Sequence, residues 1–140
     1  SKYMKRILQH LLFIMLFSSP ILLMAQEQKV RIDVLYFHAT IRCQGCLTIE
    51  EFVKNTVSTK FNKNLEDSTL TMQSLDFLQP ENEHFQEDYQ FDVQTLILSK
   101  KVNDKEVKWK NLDKIWEYSD DYTKFQNYLV EEINNFYKEP

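Results

Sequence analysis

Between Val30 and Phe61 the chain passes from one hydrophobic period to another across a connection of only a few residues. The run VRIDVLYFHA, Val30 to Ala39, is rich in β-branched and aromatic residues, as a central strand buried on both faces would be. Thr40 to Arg42 form the connection. From Cys46 the apolar residues Ile49, Val53, Val57 and Phe61 then recur at spacings of three and four, with Phe52 beside them, which predicts a helix with one buried face. A strand that feeds such a helix commits the next strand to lie parallel to the first after a right-handed crossover.

The remaining segments fit this frame. Ser68 to Leu78 alternates as a second strand, with Leu70 and Met72 on one face and Leu75 and Phe77 on the other. Pro80 suits the first turn of a short helix running to Tyr89, with Phe85 and Tyr89 one turn apart and facing the sheet. Val93 to Ser99 and Glu106 to Lys110 form an antiparallel hairpin whose turn chemistry comes from Asn103 and Asp104. Leu112, Ile115 and Trp116 mark an irregular or helical bridge. Ser119 then caps a last helix with Asp120 and Asp121 in its first turn and Tyr122, Phe125, Leu129, Ile133 and Phe136 as its core stripe. The expected architecture is α/β: a four-stranded mixed sheet with helices on both faces.

One domain is all that 140 residues of this composition, 43% hydrophobic and 27% charged, are expected to form. The stretch Met4 to Ala25 has Lys5 and Arg6 leading, an apolar run from Leu11 to Phe17, a break at Ser18 to Pro20 and a small closing Ala25. It reads as a secretory signal peptide covering residues 1–25, with an uncleaved membrane anchor as the alternative, ahead of a domain at 26–140. The expected location is periplasmic or secreted. Removing this segment takes away Lys2, Lys5 and Arg6 but no acid, leaving 14 basic against 21 acidic residues and a net charge of −7. An acidic domain without a basic cluster is repelled by phosphate backbones, which argues against nucleic acid as a partner.

Cys43 and Cys46 are the only two cysteines, and Gly45 between them is the only glycine. With no other glycine, the turns must be built from Asn, Asp, Ser and Lys, while the one permissive residue sits where sulfur is presented or simply serves a tight turn. If Cys43 opens the first helix, free backbone N–H groups and the helix dipole favour its thiolate, and Arg42 adds a cationic neighbour. Cys46, one turn in, starts the apolar stripe and is the less exposed of the two. Geometry thus assigns Cys43 as attacker and Cys46 as resolver of a mixed disulfide with protein thiols or disulfides.

Two other uses of the pair stay open, a metal or metalloid site and a structural disulfide. So short a loop argues against the latter, since stabilisation grows with loop length in the chain-entropy model. His38, five residues before Cys43, is a candidate proton shuttle or metal ligand, or a packing residue. A site with His38 and His84 lacks the spacing of a zinc finger. Glu50 and Glu51 read as solvated, with Glu50 a lesser candidate for proton transfer. Asp33 reads either as a buried acid near the site or as an outward, edge-facing one. Tyr36, Phe37 and Trp109 read as core.

The segments YFHATIRCQGCLTIEEF, Tyr36 to Phe52, and YQFDVQTLILSKK, Tyr89 to Lys101, resemble a small thioredoxin-like family of exported bacterial proteins. That family's name describes a nitrophenyl-compound nitroreductase subunit linked to arsenic-resistance operons. The resemblance implies a thioredoxin fold and thiol redox chemistry, with Cys43, Cys46 and His38 matching the family's motif. It also implies electron delivery to a reductase or a membrane redox partner. No residue signals a flavin or other cofactor, and a vicinal dithiol also binds trivalent arsenic through its two sulfurs. Against thioredoxins proper, Arg42 replaces the tryptophan before the first cysteine, Phe37 the buried aspartate and Gln94 the cis-proline before Thr95.

Overall fold

The computed structural model describes residues 2–6, a short helical segment, and residues 26–140. Residues 7–25, which make up most of the expected leader, lie outside the described residues. The domain runs β1 (Val30–His38), α1 (Gln44–Lys60), α2 (Asn62–Glu66), β2 (Leu70–Asp76), α3 (His84–Asp88), β3 (Thr95–Val102), β4 (Lys105–Asn111), a 3-10 turn (Asp113–Trp116) and α4 (Tyr122–Lys138). The sheet order is β2-β1-β3-β4. β1 and β2 are parallel, whereas β3 and β4 pair antiparallel. A strand–helix–strand unit followed by a hairpin and a closing helix gives the mixed, thioredoxin-like α/β sheet expected of the sequence.

Strand alternation divides the core. Ile32, Val34 and Tyr36 of β1 meet Ile49, Val53 and Val57 of α1 and the Phe125, Leu129, Ile133 and Phe136 stripe of α4 on one face, and all are buried. Leu35, Phe37 and Ile97 turn to the other face, where Phe77, Tyr89 and Phe91 are buried and Phe85 of α3 packs against them. Both faces are therefore covered, one by two long helices and one by a short helix with its loops. Each fully buried aliphatic or aromatic side chain contributes roughly 1.5–3 kcal/mol, so the two-helix face carries most of the stability.

Several boundaries differ from the expected ones, β2 covering Leu70–Asp76 and not Ser68 to Leu78, and β3 running on to Val102 and not ending at Ser99. Pro80 lies in a turn and α3 begins only at His84, because consecutive turns occupy residues 77–83. Val93 is not in a strand: it is 58% exposed in a bend, and β3 starts at Thr95, opposite Phe37. Ser119 does not cap α4; its hydroxyl donates to the Trp116 carbonyl, and the Asp121 carboxylate accepts the Lys124 N–H at 3.1 Å as the cap.

The near absence of glycine leaves its mark in the turns. Ser68, Gln90, Asn103 and Asp104 adopt φ of 61°, 53°, 51° and 65°, the left-handed region that short polar side chains tolerate best. Asn103 and Asp104 form the two-residue hairpin loop that requires positive φ at both positions. Asn103 also exchanges hydrogen bonds with the Lys29 backbone, through its N–H at 2.9 Å and its side-chain carbonyl at 3.1 Å.

Candidate active site

The register places the end of β1, the end of β2, the start of β3 and the end of β4 at one edge of the sheet. The connection to α1 leaves from that edge. Cys43 is the N-cap of α1, with extended φ and ψ of −79° and 162°. Its Sγ accepts the Cys46 N–H at 3.1 Å, and its carbonyl accepts the Leu47 N–H at 3.1 Å. The sulfur therefore occupies the position in which a side chain satisfies the free donors of a helix start.

Cys43 and Cys46 are joined by a disulfide, with Cα atoms 5.1 Å apart. Cys43 is exposed, whereas Cys46 is 2% exposed and begins the buried stripe of α1. Gly45 needs no left-handed backbone here, since its φ is not positive. A Cβ at that position would meet the Cys43 Sγ at 3.9 Å, an ordinary contact. Its place is the first turn of a helix, not a strained turn.

Beneath the disulfide, Tyr36 donates its hydroxyl to the Cys46 carbonyl at 2.9 Å. Burial pushes this phenol up to about 12, with the positive charge of Arg42 pulling the other way. Arg42 turns inward as well: its guanidinium pairs with Glu50, which also pairs with Lys54 at 2.7 Å. Glu50 is thus not solvated as expected. It is 6% exposed, because it follows Cys46 by four residues and so lies on the same buried helix face.

His38, half-buried at the end of β1, places Nδ1 2.9 Å from the Ala39 carbonyl and stacks obliquely near Tyr36 with ring centroids 6.3 Å apart. His84 is elsewhere, paired with Asp88 on α3 at 2.8 Å. Among the described residues no group of three or more His, Cys, Asp or Glu side chains is placed to hold a metal ion.

Asp33 is the buried acid of one reading, but it is not near the site. It is buried, at 4% exposure, but β1 is an inner strand and not an edge, and alternation turns Asp33 away from the face that carries Tyr36 and α1. There it accepts from Arg31 and Thr71 at 2.7 Å and pairs with Lys101 at 2.8 Å. Burial alone would push this carboxyl up, but the three donors outweigh it and hold it below the usual range. Phe37 sits among aromatic rings, 4.8 Å from Phe91 and 5.1 Å from Phe85 between centroids. The bond before Thr95 is trans, as are all peptide bonds among the described residues.

The sequence does not announce the role of Tyr36, and it gives Glu50 as a lesser candidate but on the solvent side. Tyr36 looks like core, and only its even position on β1, on the side where α1 must pack, hints that its hydroxyl reaches the Cys46 turn. For Glu50 the i,i+4 relation to Cys46 was legible, but its charge pointed to solvent. Around the same edge, Ile41, Leu47, Leu78 and Val93 are exposed at 89%, 42%, 51% and 58%. They come from the three segments that follow β1, follow β2 and precede β3, so the exposed sulfur shares its end of the sheet with apolar side chains.

The chain is thus an α/β domain of thioredoxin-like topology with an oxidised CxxC at the start of its first long helix. Thioredoxin O2 from Arabidopsis thaliana in its oxidized state is similar at 15% identity and a TM-score of 0.43, over 69% of this chain and 76% of that one. A thioredoxin from Thermus thermophilus is similar at 17% identity and a TM-score of 0.35, over 59% and 58%. A structure described as a malarial protein matches at 21% identity and a TM-score of 0.39, over 58% and 80%. No protein-family model and no curated protein matches the sequence.

Proposed function

We propose that this chain is an exported thiol–disulfide oxidoreductase in which Cys43 exchanges with substrate and Cys46 resolves. The observation that carries the reading is the difference in exposure between two bonded sulfurs at a helix N-terminus: Cys43 open to solvent, Cys46 buried. In the oxidised form an incoming substrate thiolate attacks the Cys43 sulfur, the Cys43–Cys46 bond breaks, and Cys46 leaves as a thiolate that takes up a proton. A second substrate thiolate then attacks the first substrate sulfur, releasing Cys43 as a thiolate. The substrate gains a disulfide, and two electrons pass to the Cys43–Cys46 dithiol. Run in reverse, the same steps reduce a substrate disulfide.

Exposed Ile41, Leu47, Leu78 and Val93 at this edge favour a polypeptide as substrate, since an apolar skin around a reactive sulfur suits a protein surface. Export rests on the segment Met4 to Ala25 and places the pair where disulfide exchange is the ordinary fate of thiols. The family resemblance adds a destination for the electrons, a partner reductase that is soluble or held in the membrane.

A Cys46→Ser variant of the full chain, which cannot resolve, is expected to accumulate mixed disulfides through Cys43. The wild-type pair is expected to cycle against a glutathione series. Absence of both trapped partners and cycling would overturn the reading. Stoichiometric zinc or arsenite retained by the reduced protein and lost on Cys43→Ser would replace it with a binding module.

A further inference from the structure

We infer that Glu50 withholds the positive charge of Arg42 from Cys43, so that the attacking thiolate is stabilised by the helix terminus and not by its cationic neighbour in sequence. Arg42 precedes Cys43 directly, and an unpaired guanidinium there would be expected to favour the thiolate. Its terminal nitrogen instead pairs with the Glu50 carboxylate. Its Nε is buried without a hydrogen-bond partner among the described residues, so the stem points into the protein as well. Its charge is felt at Tyr36, which lies under Cys46.

Glu50 is rigidly placed. It is buried one turn below Cys46, and Lys54 holds its second oxygen at 2.7 Å. The carboxylate therefore stays paired even without Arg42, whereas Arg42 has no second anion in this pairing. The other titratable or charged groups at this end are few. β1 brings Tyr36 and His38, and β2 brings Asp76, which accepts from Thr40 at 2.7 Å. From α4 it is rings that pack toward α1, with Tyr122 and Phe125 against Phe52. Glu50 is thus a positioning residue that acts on the sulfur through Arg42. The inference rests on the reading of Cys43 as attacker, because only there does the thiolate fraction set a rate.

The test reads the thiol alone. In a Cys46→Ser background, where one thiol remains, the rate of alkylation of Cys43 by iodoacetamide is followed against pH for the parent, R42Q, E50Q and the R42Q/E50Q pair. E50Q is expected to release Arg42 and lower the midpoint by about one unit, roughly a tenfold gain in thiolate below the midpoint. R42Q in the parent is expected to leave the midpoint within about 0.3 unit, and R42Q added to E50Q to return it to the parent value.

An unmoved midpoint in folded E50Q would overturn the inference. So would a rise in R42Q as large with Glu50 present as without it. If E50Q does not fold, R42Q alone decides: a midpoint raised by a unit means that Arg42 already serves the sulfur, and an unchanged one means that it does not. Alkylation needs no partner and no cycling, so a failed trap of substrates with the expected midpoints would sink the oxidoreductase reading and leave this inference standing.

Discussion

Asp33 shows what a single buried charge demands of its surroundings. With Arg31, Lys101 and Thr71 all directed at it, its carboxyl is held below the ordinary value in the fold. A depressed folded value means that the stabilisation is complete above the unfolded value of about 3.9 and is lost as pH falls through the folded one. Asp33→Asn takes the anion from Lys101 and leaves Arg31 only its exposed partner Asp104, and is expected to cost about 1–3 kcal/mol at pH 7. Urea denaturation should show the gap between variant and wild type narrowing below about pH 4. A gap that stays constant down to pH 2 would count against the pairing. Beforehand a buried Asp33 was only one of two readings and its partners were not legible, because strand alternation gives its face only after the partners of β1 are known.

At the scale of elements, helix ends make the sharpest expectations. Gly45 occupies the first turn of α1 with negative φ and room for a Cβ, so Gly45→Ala should stabilise the domain by about 0.5 kcal/mol by lowering the entropy of the unfolded chain. Asp121→Ala removes the carboxylate that caps α4 and should cost about 1 kcal/mol. Both are read from chemical denaturation midpoints, and opposite signs are the decisive pattern.

The strands, the long helices and the CxxC at their junction were written in hydrophobic period, which depends only on which face is buried. Termini were not, because a cap is decided by which of several polar residues first finds a free N–H. Ser119 was the expected cap, with Asp120 and Asp121 in the first turn, but the helix starts later and Asp121 is the cap. Glu50 failed for the opposite reason: it follows Cys46 by one turn, yet it was read as solvated, because its charge argues against burial unless partners such as Arg42 and Lys54 are present.

For the molecule as a whole, the disulfide is expected to matter more to chemistry than to folding. The chain-entropy model gives about 3 kcal/mol for a loop of 15 residues and less for shorter ones, while the partners here are three apart. The reduced protein should therefore unfold cooperatively in urea, at most about 2 kcal/mol below the oxidised form. Loss of a cooperative transition on adding dithiothreitol would show that the pair is a staple after all.

The bonds between Asn103 and Lys29 have a bearing on orientation. They fasten the entry of the domain to the tip of the β3–β4 hairpin, and from there β1 runs its nine residues, about 30 Å, to reach the edge that carries Cys43. The chain thus enters β1 at the pole opposite the sulfurs. A partner bound at the hairpin tip would therefore leave Cys43 open to a second partner at the far pole.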